Sequence, residues 1–363
     1  MYHITSLFQI LWLPSFFCRC FIKYLIMVKA KKYVVVAPFE GEPKKSDFQI
    51  VEEELPALQE NEFLAEAAYI SVDPYQRVKL SERYPCDMIG GQIARIIESK
   101  NLEYPVGSWV MGHFGWRTHT VTKPENEKYC MQKPYMYKLP DFGNLPISLG
   151  LGVCGRVGNS AYFGFTQICQ PKSGETVVVS GAAGAVGSHV GQIAKILGCR
   201  VIGFAGTDEK CEWLVNDLGF DKAGNYKTED VAKFLKQNAP NGVDCYFDNV
   251  GGELSSIVIS QMNQFGRVAC CGAISSYNET DPEKRKATIL QPSIVGKQLK
   301  IEGFLVNRFA DRSMEGVQQN LQWVNEGKLI YREYFTKGFD SAPDAFIGLF
   351  RGENTGKALV KVT

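Results

Sequence analysis

The chain has 363 residues, 45% of them hydrophobic and 22% charged, enough mass for two globular domains with ordinary cores. Its formal net charge is +1, with no basic run beyond Lys29–Lys32, which argues against nucleic acid as a partner. Eleven cysteines form no Cys-x-x-Cys pair, and Cys199, Cys245, Cys270 and Cys271 sit among apolar residues. They read as reduced thiols of a cytoplasmic protein, not as a disulfide framework.

Residues 4–18 are nearly all apolar, and Arg19 and Lys23 come after them, where a signal peptide would place charge first. Pro14 interrupts a run that falls short of the roughly 20 residues of a spanning helix. Residues 1–27 are read as an N-terminal extension, with two alternatives open: an upstream segment outside the working protein, which would start at Met27-Val-Lys-Ala, or a retained membrane anchor or targeting segment.

Short strands are expected from 33 to about 150. Tyr33–Val36 and Phe48–Val51 are apolar runs, 62–71 alternates with period two, Met88–Glu98 opens on Gly90-Gly91, and Pro105–Val110 gives a turn and a strand. So many short strands punctuated by Gly and Pro predict a barrel-like β domain.

At Thr176–Ser180 a β-branched run breaks into the turn Ala182-x-Gly184-x-x-Gly187, and a helical pattern follows in which Val190, Ile193, Ala194, Ile196 and Leu197 recur at three and four. Strand, glycine turn and helix in that order suit a dinucleotide pyrophosphate. Gly184 lets backbone approach the phosphates, Gly187 lets helix and strand pack, and the intervening Ala185 and Val186 belong to the helix start that faces the anion. Alternation then continues. Strands are expected at Arg200–Ala205, Lys222–Gly224, Asp244–Asn249, Arg267–Gly272 and Lys300–Val306, with helices at Asp208–Leu218, Thr228–Lys236 and Leu254–Met262. This is the pattern of a doubly wound parallel sheet, so the fold class is α/β with an added β domain. A helix at Asp311–Glu326, a strand at Tyr331–Phe335, a helix at Pro343–Phe350 and a strand at Lys357–Val362 return to the first segment's character. The expected domains are 28–154 with 311–363 around 155–310, and the cleft between them is the expected ligand site.

An NAD site places an acid at the end of the second strand, to hold the adenosine ribose. Here Gly203-Phe-Ala-Gly206-Thr207 ends without one; Thr207 and Lys210 suit a 2′-phosphate, so NADP(H) is expected over NAD(H). Asp208 and Glu209 argue the other way, unless they point elsewhere from their helix start. Two loops follow strand ends, 248–252 with Asn249 and 271–277 with Tyr277, and their glycines allow a cofactor ring close to backbone. The four histidines make no i, i+4 pair and no cluster with Cys, which argues against zinc.

These motifs, together with Val72-Asp73-Pro74-Tyr75-x-Arg77, Ala161-Tyr162-Phe163-Gly164 and the terminal Gly-Lys-Ala-Leu-Val, resemble the zinc-independent medium-chain dehydrogenase/reductases from about Val28 to Thr363. The resemblance implies a GroES-like β-barrel domain, a Rossmann domain, NADPH without zinc, and a homodimer, in which the Lys300–Val306 strand would form the edge. It implies reduction of the carbon–carbon double bond of α,β-unsaturated ketones and aldehydes, among them 15-oxoprostaglandins and 2-alkenals, with oxidation of the leukotriene B4 12-hydroxyl as a further activity. Residue by residue it implies phosphate and ribose contacts at Gly184–Gly187, Lys210 and Tyr226. Nicotinamide-side contacts fall at Asn249, Cys271, Gly272, Ala273, Ile274, Ser275 and Tyr277, with Phe304, Leu305, Val306 and Asn354 added. Where the family has Gly-Met-Pro-Gly-Leu-Thr, this chain has Gly155-Arg156-Val157-Gly158-Asn159-Ser160, which bears on substrate choice.

Enone reduction needs the carbonyl oxygen stabilised as hydride arrives. The expected catalytic groups are Tyr277, through the nicotinamide ribose hydroxyl, and Tyr75, aimed into the cleft by Asp73-Pro74. An NADPH:quinone reductase and an NADP-binding protein without turnover remain alternatives.

Overall fold

The computed structural model describes residues 28–362 apart from 79, 81–82, 127, 130–132, 135, 282 and 284–288. The expectation for residues 1–27 lies outside the described residues.

Six strands form a parallel sheet in the spatial order Lys222–Asn225, Arg200–Ala205, Thr176–Val179, Val243–Asp248, Met262–Cys270, Lys300–Gly303. This is the 3-2-1-4-5-6 order of a doubly wound nucleotide fold. Val177, Val178 and Val179 are fully buried, as a parallel sheet covered on both faces requires. The helix Ala185–Ile196 buries Val190, Ile193 and Ala194 against one face, while Leu235, Val258 and Ile259 cover the other.

The second sheet is largely antiparallel. Its order is Tyr137–Lys138, Trp109–Gly112, Gln92–Ser99, Phe63–Ser71, Lys357–Lys361, Glu333–Lys337, with His119–Thr122 also pairing on Phe63–Ser71. The two C-terminal strands thus join a sheet begun nearly three hundred residues earlier, Leu359 opposite Ser71. A three-stranded sheet, Phe48–Glu54, Lys29–Val35 and Cys86–Asp87, accompanies it. Tyr33, Phe48, Trp116 and Phe346 pack edge to face or stacked in the core between them.

Several expected elements shift. The strand expected over Lys300–Val306 ends at Gly303, and Val306 opens a 3-10 turn, Val306–Arg312. The strand expected at Arg267–Gly272 starts earlier, as Met262–Cys270, and leaves Cys271 and Gly272 in the following loop. A helix at Arg156–Phe163, not expected from pattern, packs against Ala185–Ile196 and against the helix Ser313–Asn325. Its contacts are made through small residues: a Cβ on Gly158 would lie 2.6 Å from Asn320 Nδ2, and one on Gly316 would lie 3.0 Å from the Phe163 ring. Among the described residues no helix is long and apolar enough to cross a membrane.

Candidate active site

The glycine turn is held by backbone bonds. Gly184 N–H donates to Gly181 O at 3.0 Å and Ala182 N–H to Phe204 O at 2.9 Å, so turn and second strand are locked together. Gly184 is the N-cap of Ala185–Ile196, and no side chain caps that helix. The N–H groups of Ala185, Val186 and Gly187 therefore face outward at the positive end of the dipole, the arrangement an anion takes. A Cβ on Gly187 would run into the Gly181 carbonyl and lie 2.8 Å from Ala182 Cα; on Gly184 it would clear Gly181 O by 3.2 Å. The absent side chain at Gly187 is what lets the helix start pack against the turn backbone, which leaves its N–H groups where they could hold an anion.

At the end of the second strand, Thr207 caps the helix Asp208–Asn216, its Oγ1 accepting from Lys210 N–H at 3.3 Å. Asp208, the acid that argued against a 2′-phosphate, turns to the neighbouring strand end, where Oδ1 accepts from Asn225 Nδ2 at 2.7 Å. The Tyr226 hydroxyl and the Lys227 stem lie over Gly206, 3.0 and 3.3 Å from the place a Cβ would occupy. Lys210 Nζ donates to Gly352 O at 2.6 Å. Burial and the Lys227 charge both push the Lys210 ammonium below its ordinary value. Lys210, electrostatically coupled to Lys227, and Lys227 beside the exposed Tyr226 could hold a ribose 2′-phosphate; Lys227 reads in the sequence as one more surface lysine.

The two expected loops clasp each other at the carboxyl ends of the neighbouring strands Val243–Asp248 and Met262–Cys270, the first of which borders the sheet's switch point at Thr176–Val179. Asp248, buried and not singled out from sequence, organises them. Its Oδ1 accepts from Ser180 Oγ at 3.0 Å, Tyr246 Oη at 2.8 Å, Val250 N–H at 3.0 Å and Gly251 N–H at 2.9 Å. Its carbonyl takes Cys271 N–H at 2.8 Å and Gly272 N–H at 3.2 Å. Asn249 Nδ2 donates to Ser180 O at 2.8 Å, so the amide has a fixed orientation. Ser275 Oγ donates to Val250 O at 2.7 Å, and Ile274 N–H to Asn249 O at 3.3 Å. Tyr277 folds back over the loop: its Oη accepts from Ala273 N–H at 3.1 Å and lies 3.2 Å from the place a Cβ on Gly272 would take. Burial raises the Tyr277 phenol above its ordinary value, so the hydroxyl keeps its proton.

Cys271, Gly272, Ala273, Tyr277, Phe304 and Leu305 line one cavity of about 490 Å³. Phe304 is a core residue at this wall, against Gly164 and the Phe247 ring, while Leu305 is exposed and Val306 lies beyond both. Asn354 sits on the other side of the cofactor turn. Its Nδ2 donates to Gly356 O at 2.8 Å, and Gly356 N–H donates to Ala183 O at 2.8 Å.

Tyr75 stands in a separate, tight pocket of about 20 Å³ with Ser71, Asp73, His113 and Arg156. Its Oη is hydrogen-bonded to His113 Nε2 at 2.8 Å, and the Arg156 guanidinium lies 5.0 Å from its ring centre. Burial, then the Arg156 cation, hold His113 down at about 4, so the imidazole is neutral near pH 7. Tyr75 and Tyr277 therefore belong to two pockets, one on each sheet. His113 carries no sequence signal: a lone histidine in a glycine-rich stretch is ordinary.

Among the described residues no group of three or more His, Cys, Asp or Glu could hold a metal ion, and all eight described cysteines are free. The fold and the nucleotide cradle define an oxidoreductase of the two-domain nicotinamide type. The chain belongs to the medium-chain dehydrogenase/reductase family: residues 31–129 match the N-terminal domain of oxidoreductase, and residues 185–325 match the family described as zinc-binding dehydrogenase. Prostaglandin reductase 1 of Bos taurus is 48% identical over 344 residues, 92% of this chain and 100% of that protein. NADPH-dependent curcumin reductase of Escherichia coli is 36% identical over 92% of this chain and 96% of its own length. The crystal structure of CurA in complex with NADPH from Vibrio vulnificus superposes with a TM-score of 0.83 at 35% identity, covering 92% of this chain and 99% of that one.

Proposed function

We propose that this chain reduces the carbon–carbon double bond of α,β-unsaturated ketones and aldehydes with NADPH. The observation that carries the reading is the second-strand end: Asp208 turned to Asn225, Lys227 beside Tyr226, and Lys210 within reach of the Lys227 charge. The full-length likeness to a prostaglandin reductase and to an NADPH-dependent curcumin reductase supplies the reaction class. Ala182, Gly184, Ala185, Val186 and Gly187 would hold the pyrophosphate. Thr207, Lys210 and Tyr226 would hold the 2′-phosphorylated ribose. Asn249, Cys271–Ser275, Tyr277, Phe304, Leu305, Val306 and Asn354 would flank the nicotinamide half.

NADPH, when bound, supplies hydride to the enone β-carbon. What the chain must add is polarisation of the carbonyl and a proton for the α-carbon. Tyr277, with its phenol kept protonated by burial, and Tyr75, hydrogen-bonded to a neutral imidazole, are the proton-holding groups at the two pockets. Fixed donors cost no reorganisation as charge builds on oxygen. Arg156, the departure from the family pattern, puts a cation against Tyr75 and bears on which enones are accepted.

In this reading 155–310 is the NADP-binding domain, and 28–154 with 311–363 the catalytic one, supported by the two separate sheets. The chain pairs with a second copy through the edge strand Lys300–Gly303, beside which Leu305 and Val295 are exposed; sedimentation at micromolar concentration reads that. Free cysteines support a cytoplasmic location. The test of function is NADPH oxidation with a 2-alkenal, a 15-oxoprostaglandin and a quinone in parallel. Turnover of the enones is expected. Turnover of the quinone alone makes it a quinone reductase, and tight NADPH binding without turnover makes it a binding protein.

A further inference from the structure

The most deeply buried cation among the described residues is Lys357, the first residue of the strand Lys357–Lys361, with 2% of its surface exposed. Its three protons are all used: Nζ donates to Val72 O at 2.7 Å, Asp73 Oδ1 at 3.0 Å and Ala358 O at 2.8 Å. Taking an ammonium out of water is expensive, and its neighbours Ala358, Leu359 and Val360 show that an apolar residue fills this strand without that cost. Strand stability does not account for it. What the ammonium holds is the chain segment that leads into Tyr75. Asp73, also bonded to Ser71 Oγ, begins the 3-10 turn Pro74–Arg77, and Pro74 fixes the backbone between Asp73 and Tyr75.

The residue before it performs the matching task on the other side. Gly356 N–H donates to Ala183 O at 2.8 Å, and Gly356 pairs in a single bridge with Gly184 of the pyrophosphate turn. A Cβ there would lie 2.8 Å from the Arg332 carbonyl carbon, and φ is +74°. Two consecutive residues, about 3.8 Å apart, thus grip the cofactor turn and the Tyr75 turn.

We propose that Lys357 is a positioning residue, which sets Tyr75 and its His113 contact relative to the pyrophosphate turn through Val72 O and the Asp73 carboxylate. The inference rests on the reading that Tyr75 serves enone reduction. A displacement of about 1 Å in a reacting group costs on the order of 100-fold.

Lys357→Met is expected to lower kcat with a 2-alkenal by about 10- to 100-fold, while the NADPH dissociation constant, read by cofactor fluorescence, stays within about threefold. In the Tyr75→Phe background the same substitution is expected to cost less than about threefold, because groups acting as one unit are not additive. Equal losses in both backgrounds overturn the proposal. A readout independent of turnover is the His113 imidazole ¹⁵N resonance. In Lys357→Met it is expected to move towards its position in Tyr75→Phe, and a resonance unmoved from wild type overturns the proposal whether or not the protein reduces enones. Absence of enone turnover in the wild type, with that resonance moving as expected, would instead remove the functional reading alone. Should Lys357→Met fail to fold, Asp73→Ala removes the acceptor that ties Lys357 to the Tyr75 turn and leaves both backbone bonds of Lys357, and the same two measurements apply with the same outcomes.

Discussion

Lys210→Ala separates the two nicotinamide cofactors most directly. Lys210 reaches across from the helix Asp208–Asn216 to Gly352 O and is electrostatically coupled to Lys227. In the protein alone its charge is disfavoured by burial and by Lys227, and a phosphate dianion placed between the two ammoniums reverses that repulsion. A hydrogen bond to a charged partner is worth about 1.5–3 kcal/mol, which is about 10- to 150-fold in affinity. NADH carries no 2′-phosphate and makes no such bond. The variant also loses the Gly352 contact, a cost borne equally whichever cofactor is present, so the ratio is the quantity to read. The assay is kcat/KM for NADPH and for NADH against a single 2-alkenal. The NADPH/NADH preference is expected to fall by about 10- to 150-fold, almost wholly in the NADPH value. Equal losses for both cofactors, or an unchanged preference, would refute the assignment of this corner to the 2′-phosphate.

Three further outcomes follow from the same geometry. Gly187→Ala forces a methyl group into backbone at Gly181 and Ala182, a neighbour that cannot rotate away; a loss of about 1–3 kcal/mol is expected. Gly184→Ala, meeting Gly181 O at 3.2 Å, is expected to cost less, and thermal unfolding of the two variants side by side checks the order. Tyr277→Phe removes the oxygen that accepts from Ala273 N–H, and about a 10- to 100-fold fall in kcat is expected with the NADPH KM little changed; full turnover would exclude Tyr277 from the chemistry. Burial holds His189 and His113 at about 4, below the 6.5 of an exposed imidazole. The unfolded chain therefore binds protons first. The contribution of each histidine is complete above about pH 6.5 and is lost as pH falls towards 4, about 2 kcal/mol apiece between pH 7 and pH 5. Denaturant midpoints across that range should fall, less steeply in His189→Gln; parallel curves would show that His189 is not the group responsible.

The nucleotide half was legible because its signals are local. A β-branched run, a glycine turn and a 3.6-period pattern lie within the 22 residues 176–197, and each element is decided by its own stretch of chain. The helix Arg156–Phe163 was not. Val157, Gly158, Asn159 and Ser160 are poor helix formers, and the segment is helical because it is packed, with Asn159 Nδ2 bonded to Ser313 O at 2.9 Å and Gly158 against Asn320. The strand expected to run to Val306 stops at Gly303 for a related reason: Phe304 turns inward against Gly164 and Phe247, and its ring is fixed by partners far away in sequence. Periodicity reports which face of an element is apolar, not where tertiary contacts end it.

The site shows the same division more sharply. Tyr277 and Asn249 stand out because each comes after a strand and lies within a few residues of a glycine, and the structure places them in loops that follow neighbouring strands of the sheet. The groups that hold those loops and the Tyr75 turn in place give no local sign. Asp248 reads as a turn acid, His113 as an isolated histidine, and Lys357 as one lysine in an alternating strand, where period two assigns it to a face but says nothing of a partner 284 residues away. In sequence, what is recognisable is chemistry carried by one segment. What fixes that chemistry in space here is a set of buried polar bonds at Asp248 and Lys357, and those to Ser180, Val72 and Asp73 join segments remote from one another. A buried polar group left without a partner costs about 1–3 kcal/mol. The partners of such groups are therefore strongly specified, and the two loops and the Tyr75 turn inherit that precision from Asp248 and Asp73 together with partners outside them, Ser180 and Lys357.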